Sequence, residues 1–85
     1  MLTDNNLIAV NDLNGGIQRK YLFRNGYGAS VIKSPYSYGG SDGLWEIAVL
    51  GKDGKLCYDT PITDDVIGYL DDYEVNDILT QIEEL

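Results

Sequence analysis

The chain contains no histidine, one cysteine, two prolines and only six basic residues against fourteen acidic ones. Without histidine there is no neutral imidazole to hold a zinc ion, and no base of the usual kind to activate a serine or cysteine nucleophile. One cysteine, Cys57, cannot close an intramolecular disulfide. Its setting, Leu56-Cys57-Tyr58, predicts a small buried hydrophobe in a reducing, cytosolic compartment. Long apolar runs are also missing, so neither an N-terminal export signal nor a bilayer-spanning segment is expected. With a net charge of -8 and a pI near 4.1, direct binding to nucleic acid or to an anionic membrane is disfavoured.

What is present is enough for one small domain. Eighty-five residues of 9.4 kDa are expected to fold to a surface of about 5,000 Å², against about 13,600 Å² extended. That supports a single domain over 1–85 with a modest core and residues 1–6 flexible. It is too little chain for a doubly wound nucleotide-binding fold or a barrel enzyme. The charge is unevenly placed. Up to Lys55, six basic residues face five acidic ones; from Leu56 onward there are nine acids and no base.

Periodicity predicts an α+β fold, an antiparallel meander of four or five strands with a short helical turn and one C-terminal helix packed on one face. Leu7 to Val10 reads as a short strand, and Asn14-Gly15-Gly16 as a turn. Ile17 to Arg24 alternates with Ile17, Tyr21 and Phe23 on one face, interrupted by Arg19. Asn25-Gly26 predicts a two-residue type I′ hairpin into a strand over Tyr27 to Lys33. Leu44 to Leu50 sends Trp45, Ile47 and Val49 to the core and Glu46 to solvent. Asp53-Gly54 predicts a second hairpin into Leu56-Cys57-Tyr58.

Beyond Pro61 the period changes. Thr63 is placed to cap a short turn through Asp64, Asp65 and Val66, stapled by Ile62 and Ile67 and weakened at Gly68. Asp71 and Glu74 form a capping box with Leu70 and Val75 as its staple. Val75, Ile78, Leu79, Ile82 and Leu85 then recur at helical spacing, so a helix from about Asp72 to about Glu84 is expected.

Two features are candidate partner-binding sites. The ten-residue segment Ser34 to Gly43 holds Tyr36 and Tyr38 among small residues. Tyrosine offers large contact area at low entropic cost, so the loop reads either as a recognition tip or as a minor core folded over the open sheet face. The acids Asp64, Asp65, Asp71, Asp72, Asp77 and Glu83 form the second. Carboxylates three or four residues apart on a helix lie about 5–6 Å from each other, near the phosphate spacing of nucleic acid, so the surface reads as a charge mimic or as a solvated face used for capping and solubility. No metal site is expected: Asp64-Asp65-Val66-Ile67-Gly68 puts apolar residues where a calcium loop needs oxygen ligands. No cofactor is implied, since neither Gly26-Tyr27-Gly28 nor Gly39-Gly40 lies between a strand and a helix. The chain reads as a non-enzyme.

From Tyr21 onward the chain resembles small phage and prophage proteins of unassigned function, at Asn25-Gly26-Tyr27-Gly28-Ala29-Ser30-Val31, at Tyr38-Gly39-Gly40, at Gly43 to Leu50 and at Tyr58 to Leu70. The resemblance brings no activity and no functional residues. It implies a phage-encoded protein in the host bacterial cytoplasm, of a group in which small acidic members often inhibit host enzymes that bind nucleic acid. The expected function is a non-catalytic interaction protein that engages a basic surface of a host protein. The alternative is a small structural or assembly component of a phage particle, held by its open sheet face.

Overall fold

The chain turns back on itself wherever an asparagine or glycine takes the left-handed backbone conformation. A computed structural model describes residues 1–57, 59–62 and 66–85. It contains β1 (Leu7–Leu13), β2 (Gly16–Leu22), β3 (Gly28–Lys33), β4 (Trp45–Leu50), β5 (Ile67–Leu70) and α1 (Asp72–Glu83), with a 3₁₀ turn at Gly40–Asp42. The strands form one antiparallel sheet in chain order. The α+β meander is therefore the fold. The helical turn expected through Thr63, Asp64 and Asp65 lies outside the described residues. Among the described residues no helix is long and apolar enough to cross a membrane.

The two-residue type I′ turn is found at Asn14-Gly15, where φ is 47° and 83° and Leu13 pairs with Gly16. Asn25-Gly26 forms a hairpin of a different kind. Only Gly26 has positive φ, its N–H bonds to the Phe23 carbonyl, and the Phe23 N–H bonds to the Tyr27 carbonyl. This is a three-residue loop closed by a glycine bulge. The extra residue, Arg24, places Asn25 where its Oδ1 accepts from the Tyr27 N–H at 3.0 Å. Its Nδ2 then reaches the carbonyls of Ile82 (2.8 Å), Glu83 (3.1 Å) and Leu85 (3.3 Å) at the end of α1. Asp53-Gly54 repeats the design: Gly54 N–H bonds to the Gly51 carbonyl, Gly51 N–H to the Lys55 carbonyl, and Asp53 Oδ1 accepts from the Lys55 N–H.

The outer edge of β4 is shared by two segments. Its end meets Leu56 and Cys57 through one bridge and one hydrogen bond, so the expected strand Leu56-Cys57-Tyr58 is reduced to that bridge, with Tyr58 outside the described residues. Its start pairs with β5, Trp45 opposite Leu70 and Ile47 opposite Ile67. The segment read as the flank of a helical turn is thus the fifth strand. Gly68 does not end a helix; a Cβ there would strike Tyr38, so the glycine permits a close approach of chains.

Tyr21, Phe23, Ala29, Val31, Trp45, Ile47 and Val49 face α1, whose Val75, Leu79 and Ile82 cover them; Leu70 and Leu2 close the margins. The total surface, 5099 Å², agrees with the scaling expected for a folded monomer of this mass. The capping box forms as predicted: Asp71 accepts from Glu74 N–H at 2.8 Å and Glu74 from Asp71 N–H at 3.1 Å. Residues 1–6, expected to be flexible, are fastened to the domain. Leu2 is buried, Thr3 N–H bonds to Asn76, and the Thr3 carbonyl accepts from Tyr21 Oη and Arg19 Nη2. Arg19, the break in the apolar face of β2, serves that attachment and pairs with Asp4.

Replacing Asn25 with alanine removes three donations to the helix end and the internal bond of the loop. Asn25→Ala is expected to lower unfolding free energy by about 1–2 kcal/mol. Asn25→Asp, which keeps the loop acceptor but sets a carboxylate at the negative helix end, should be no better. Urea unfolding midpoints of the three proteins measure this.

Candidate functional site

Helical geometry sorts the residues of α1 into three groups and its acids into two of them. Val75, Ile78, Leu79 and Ile82 form the inward stripe. Asp72, Asn76 and Glu83 lie along one flank, and each holds the N-terminal segment: Asp72 pairs with the Met1 ammonium at 3.1 Å, Asn76 bonds to Met1 and Thr3, and Glu83 accepts from Asn6 at 3.3 Å. Tyr73, Glu74, Asp77, Thr80, Gln81 and Glu84 make up the outward face, all exposed. Of the six acids singled out by sequence, Asp64 and Asp65 lie outside the described residues, Asp71 is the helix cap, and Asp72 and Glu83 clasp the N-terminal segment. Asp77 alone stands on the outward face, where it accepts from Gln81 at 3.1 Å. The spacing identified helical neighbours but not which flank would be occupied.

Asp72 also accepts from the indole N–H of Trp45 at 2.9 Å. That hydrogen bond, with the ammonium of Met1, holds the Asp72 carboxyl below its ordinary value against a small opposing effect of burial. Lys33 lies 4.2 Å above the Trp45 ring. Elsewhere the chemistry is quiet. The Cys57 thiol donates to Asp59 at 2.9 Å, and that bond to the carboxylate raises the thiol above its usual value, which disfavours a nucleophilic thiolate. Among the described residues no three acidic or cysteine side chains converge to hold a metal ion.

The segment Ser34–Gly43 is a chain of tight turns. Ser37 Oγ bonds both the amide and the carbonyl of Ser34, Gly40 N–H bonds to the Ser37 carbonyl, and Asp42 and Leu44 N–H both bond to the Gly39 carbonyl. Tyr36 and Tyr38 do not fold over the open sheet face. They are 84% and 61% exposed. The loop instead runs along β5: the Tyr38 carbonyl accepts from the Tyr69 N–H at 3.2 Å, and the Tyr38 N–H bonds to Glu46 Oε1 at 2.9 Å. Glu46, expected in solvent, is half-buried by that bond.

Sequence reasoning missed Tyr69 and Tyr73, 60% and 85% exposed. Tyr69 sits in the β5 bulge with φ of 57°, and Tyr73 on the outward face of α1. Assigning β5 as a strand is the signal that would have found Tyr69. The exposed tyrosines Tyr38 and Tyr69 adjoin the start of α1, whereas Glu83 lies about 16 Å further along the helix axis. The candidate residues therefore do not form one cluster.

Compared with known proteins, the chain matches no family model, no curated protein and no solved structure. The assignment of a site rests on this geometry.

The lowered Asp72 pKa has a stability consequence. A carboxyl whose pKa falls on folding contributes stability above its unfolded value and loses it as pH drops through the folded value. Asp72→Asn should therefore weaken the protein at pH 7 and flatten the acid arm of its stability curve, as measured by urea midpoints between pH 7 and pH 2.

Proposed function

We propose that the chain is a small, non-catalytic interaction protein that binds a basic surface of another protein through the outward face of α1. Its support is one observation. Glu74, Asp77 and Glu84 lie on that face beside Tyr73, and among the described residues no lysine or arginine side chain forms an ion pair with any acid of α1. An unneutralised acidic face beside an exposed aromatic ring suits a partner rich in lysine and arginine, with salt-sensitive association. Tyr38 and Tyr69, at the N-terminal end of the same helix, extend the surface with rigid contact area.

A phage-encoded protein in the host cytoplasm is the setting we propose, and a nucleic-acid-binding host enzyme is the partner class. The charge pattern then competes with nucleic acid for a basic channel. The second reading, a component of a phage particle, is favoured by the open sheet face, where Ile8 and Leu22 are 60% and 51% exposed around a shallow recess of about 340 Å³.

The test compares proteins captured from bacterial lysate by the parent and by Asp77→Asn/Glu84→Gln, with Tyr73→Ala as a third bait. Binding through this face predicts a basic protein held by the parent, weakened about tenfold or more in the amide variant, and released as salt rises from about 50 mM to about 300 mM. Equal capture by parent and amide variant refutes it. Capture of virion proteins indifferent to salt supports the second reading.

A further inference from the structure

The two edges of the sheet differ. β5 has four residues, a bulge and a left-handed tyrosine, and the Ser34–Gly43 loop lies against it with the Tyr38 carbonyl on the Tyr69 N–H. That edge is closed by the usual devices. β1 has seven residues, no proline and one charge, Asp12, and among the described residues nothing pairs with its outer side. Its register against β2 slips once, between Leu7 and Ala9, and is regular from Ala9 to Leu13.

The turn fixes which backbone groups face outward. Leu13 and Gly16 flank a two-residue hairpin and so exchange hydrogen bonds, as do Asn11 with Gln18 and Ala9 with Lys20, in alternation. The N–H and C=O groups of Val10 and Asp12 therefore point away from the sheet. Two β1 strands set antiparallel about an axis through Asn11 bring Val10 opposite Asp12 in both copies. Each such pair exchanges two hydrogen bonds.

The side chains agree with this register. On the open face Asn11 Nδ2 donates to Gln18 Oε1 at 3.2 Å, and Gln18 Nε2 donates to Ser30 at 2.9 Å. This ladder of polar groups ends at Asn11, whose Oδ1 has no partner among the described residues and whose second N–H is likewise left for one. Asparagine amides facing each other across a two-fold axis satisfy each other reciprocally, so a second copy continues the ladder where an unrelated strand would have to supply a matching amide. Val10, 52% exposed, would be covered. Charge permits the approach: Asp4 is paired with Arg19, Asp12 is the one charge on β1, Lys20 stands on β2 opposite Ala9, and the acidic helix packs over β3, β4 and β5 at the far side. We propose that β1 is a self-association edge, at which two copies pair antiparallel about Asn11 into one continuous sheet.

The inference does not depend on the acidic helix face, and its test does not involve a foreign partner. Sedimentation of the parent from about 5 µM to about 500 µM, a range suited to a small interface, should show mass rising from 9.4 kDa toward twice that value. Val10→Pro removes an outward donor, and Val10→Asp sets two carboxylates against each other across the junction. Either variant, folded by circular dichroism, should stay monomeric. In a Cys57→Ser background, Asn11→Cys should form a disulfide-linked dimer under mild oxidation, and Ala9→Cys, which this register places opposite Leu13 of the second copy, should not. A parent that remains monomeric throughout overturns the proposal. So does a folded Val10→Asp protein that dimerises like the parent, or an Asn11→Cys protein that links no faster than Ala9→Cys.

Discussion

The negative end of α1 is the constraint around which the rest is arranged. The helix has no basic residue in its last turn, and Glu83 and Glu84 add two carboxylates to a terminus that already carries partial negative charge. Its final carbonyls need donors that the helix does not supply. Asn25 provides them from the β2–β3 hairpin, almost sixty residues earlier in the chain. A neutral amide suits this place because it satisfies the carbonyls while leaving the acidic character of the helix intact. The loop type follows from that role: the three-residue hairpin, with the left-handed position given to Gly26, holds Asn25 in the conformation from which both ends of its side chain are used.

The sequence made periodicity visible and left partnership hidden. Five of the six regular elements are close to expectation because alternation along β2, β3 and β4 and the stripe of α1 are local signals, and because Asp71 and Glu74 cap within one turn. Asn14-Gly15 and Asn25-Gly26 look alike as pairs, yet only the first is a type I′ turn. What separates them is a helix end that no local window contains. The segment Ile67-Gly68-Tyr69-Leu70 is too short to show a period, and the outer edge of β4 is what makes it a strand rather than the flank of a helical turn. At the candidate site the acids were legible and their division was not. Asp72 and Glu83 are occupied by residues 1–6, whose polar composition reads as a loose end but whose Leu2 and Thr3 have places in the domain.

That division separates stability from recognition on a single helix. One flank is used to hold the N-terminal segment and the Trp45 indole, the inner stripe to cover the sheet, and the outer face is left with a tyrosine and with acids bonded only within the helix and its cap among the described residues, Asp77 to Gln81 and Glu74 to the Asp71 N–H. A mimic of nucleic acid needs carboxylates free of cationic partners, and among the described residues no lysine or arginine pairs with Glu74, Asp77 or Glu84, so the outer face suits the role proposed above better than the six acids picked by spacing. Pairing at β1 would set two such faces on the same side of one continuous sheet. Two linked contacts on one repetitive basic partner bind more tightly than one, provided the spacing fits both.

The left-handed Tyr69 is the less expected half of the same asymmetry. A non-glycine residue at positive φ costs of order 1–3 kcal/mol, and Tyr69 is exposed, so burial does not compensate it. What it gains is position. The bulge turns its N–H toward the Tyr38 carbonyl, and Gly39 and Gly68 leave room for the two chains to meet, since a Cβ on either would collide with the other segment. The loop is thereby fixed, Glu46 is given the Tyr38 N–H, and the β5 edge is closed to other strands. With that edge sealed by strained backbone, and the opposite one in unbroken register from Ala9 to Leu13 with a single charge, the self-association proposed above would extend the sheet at β1.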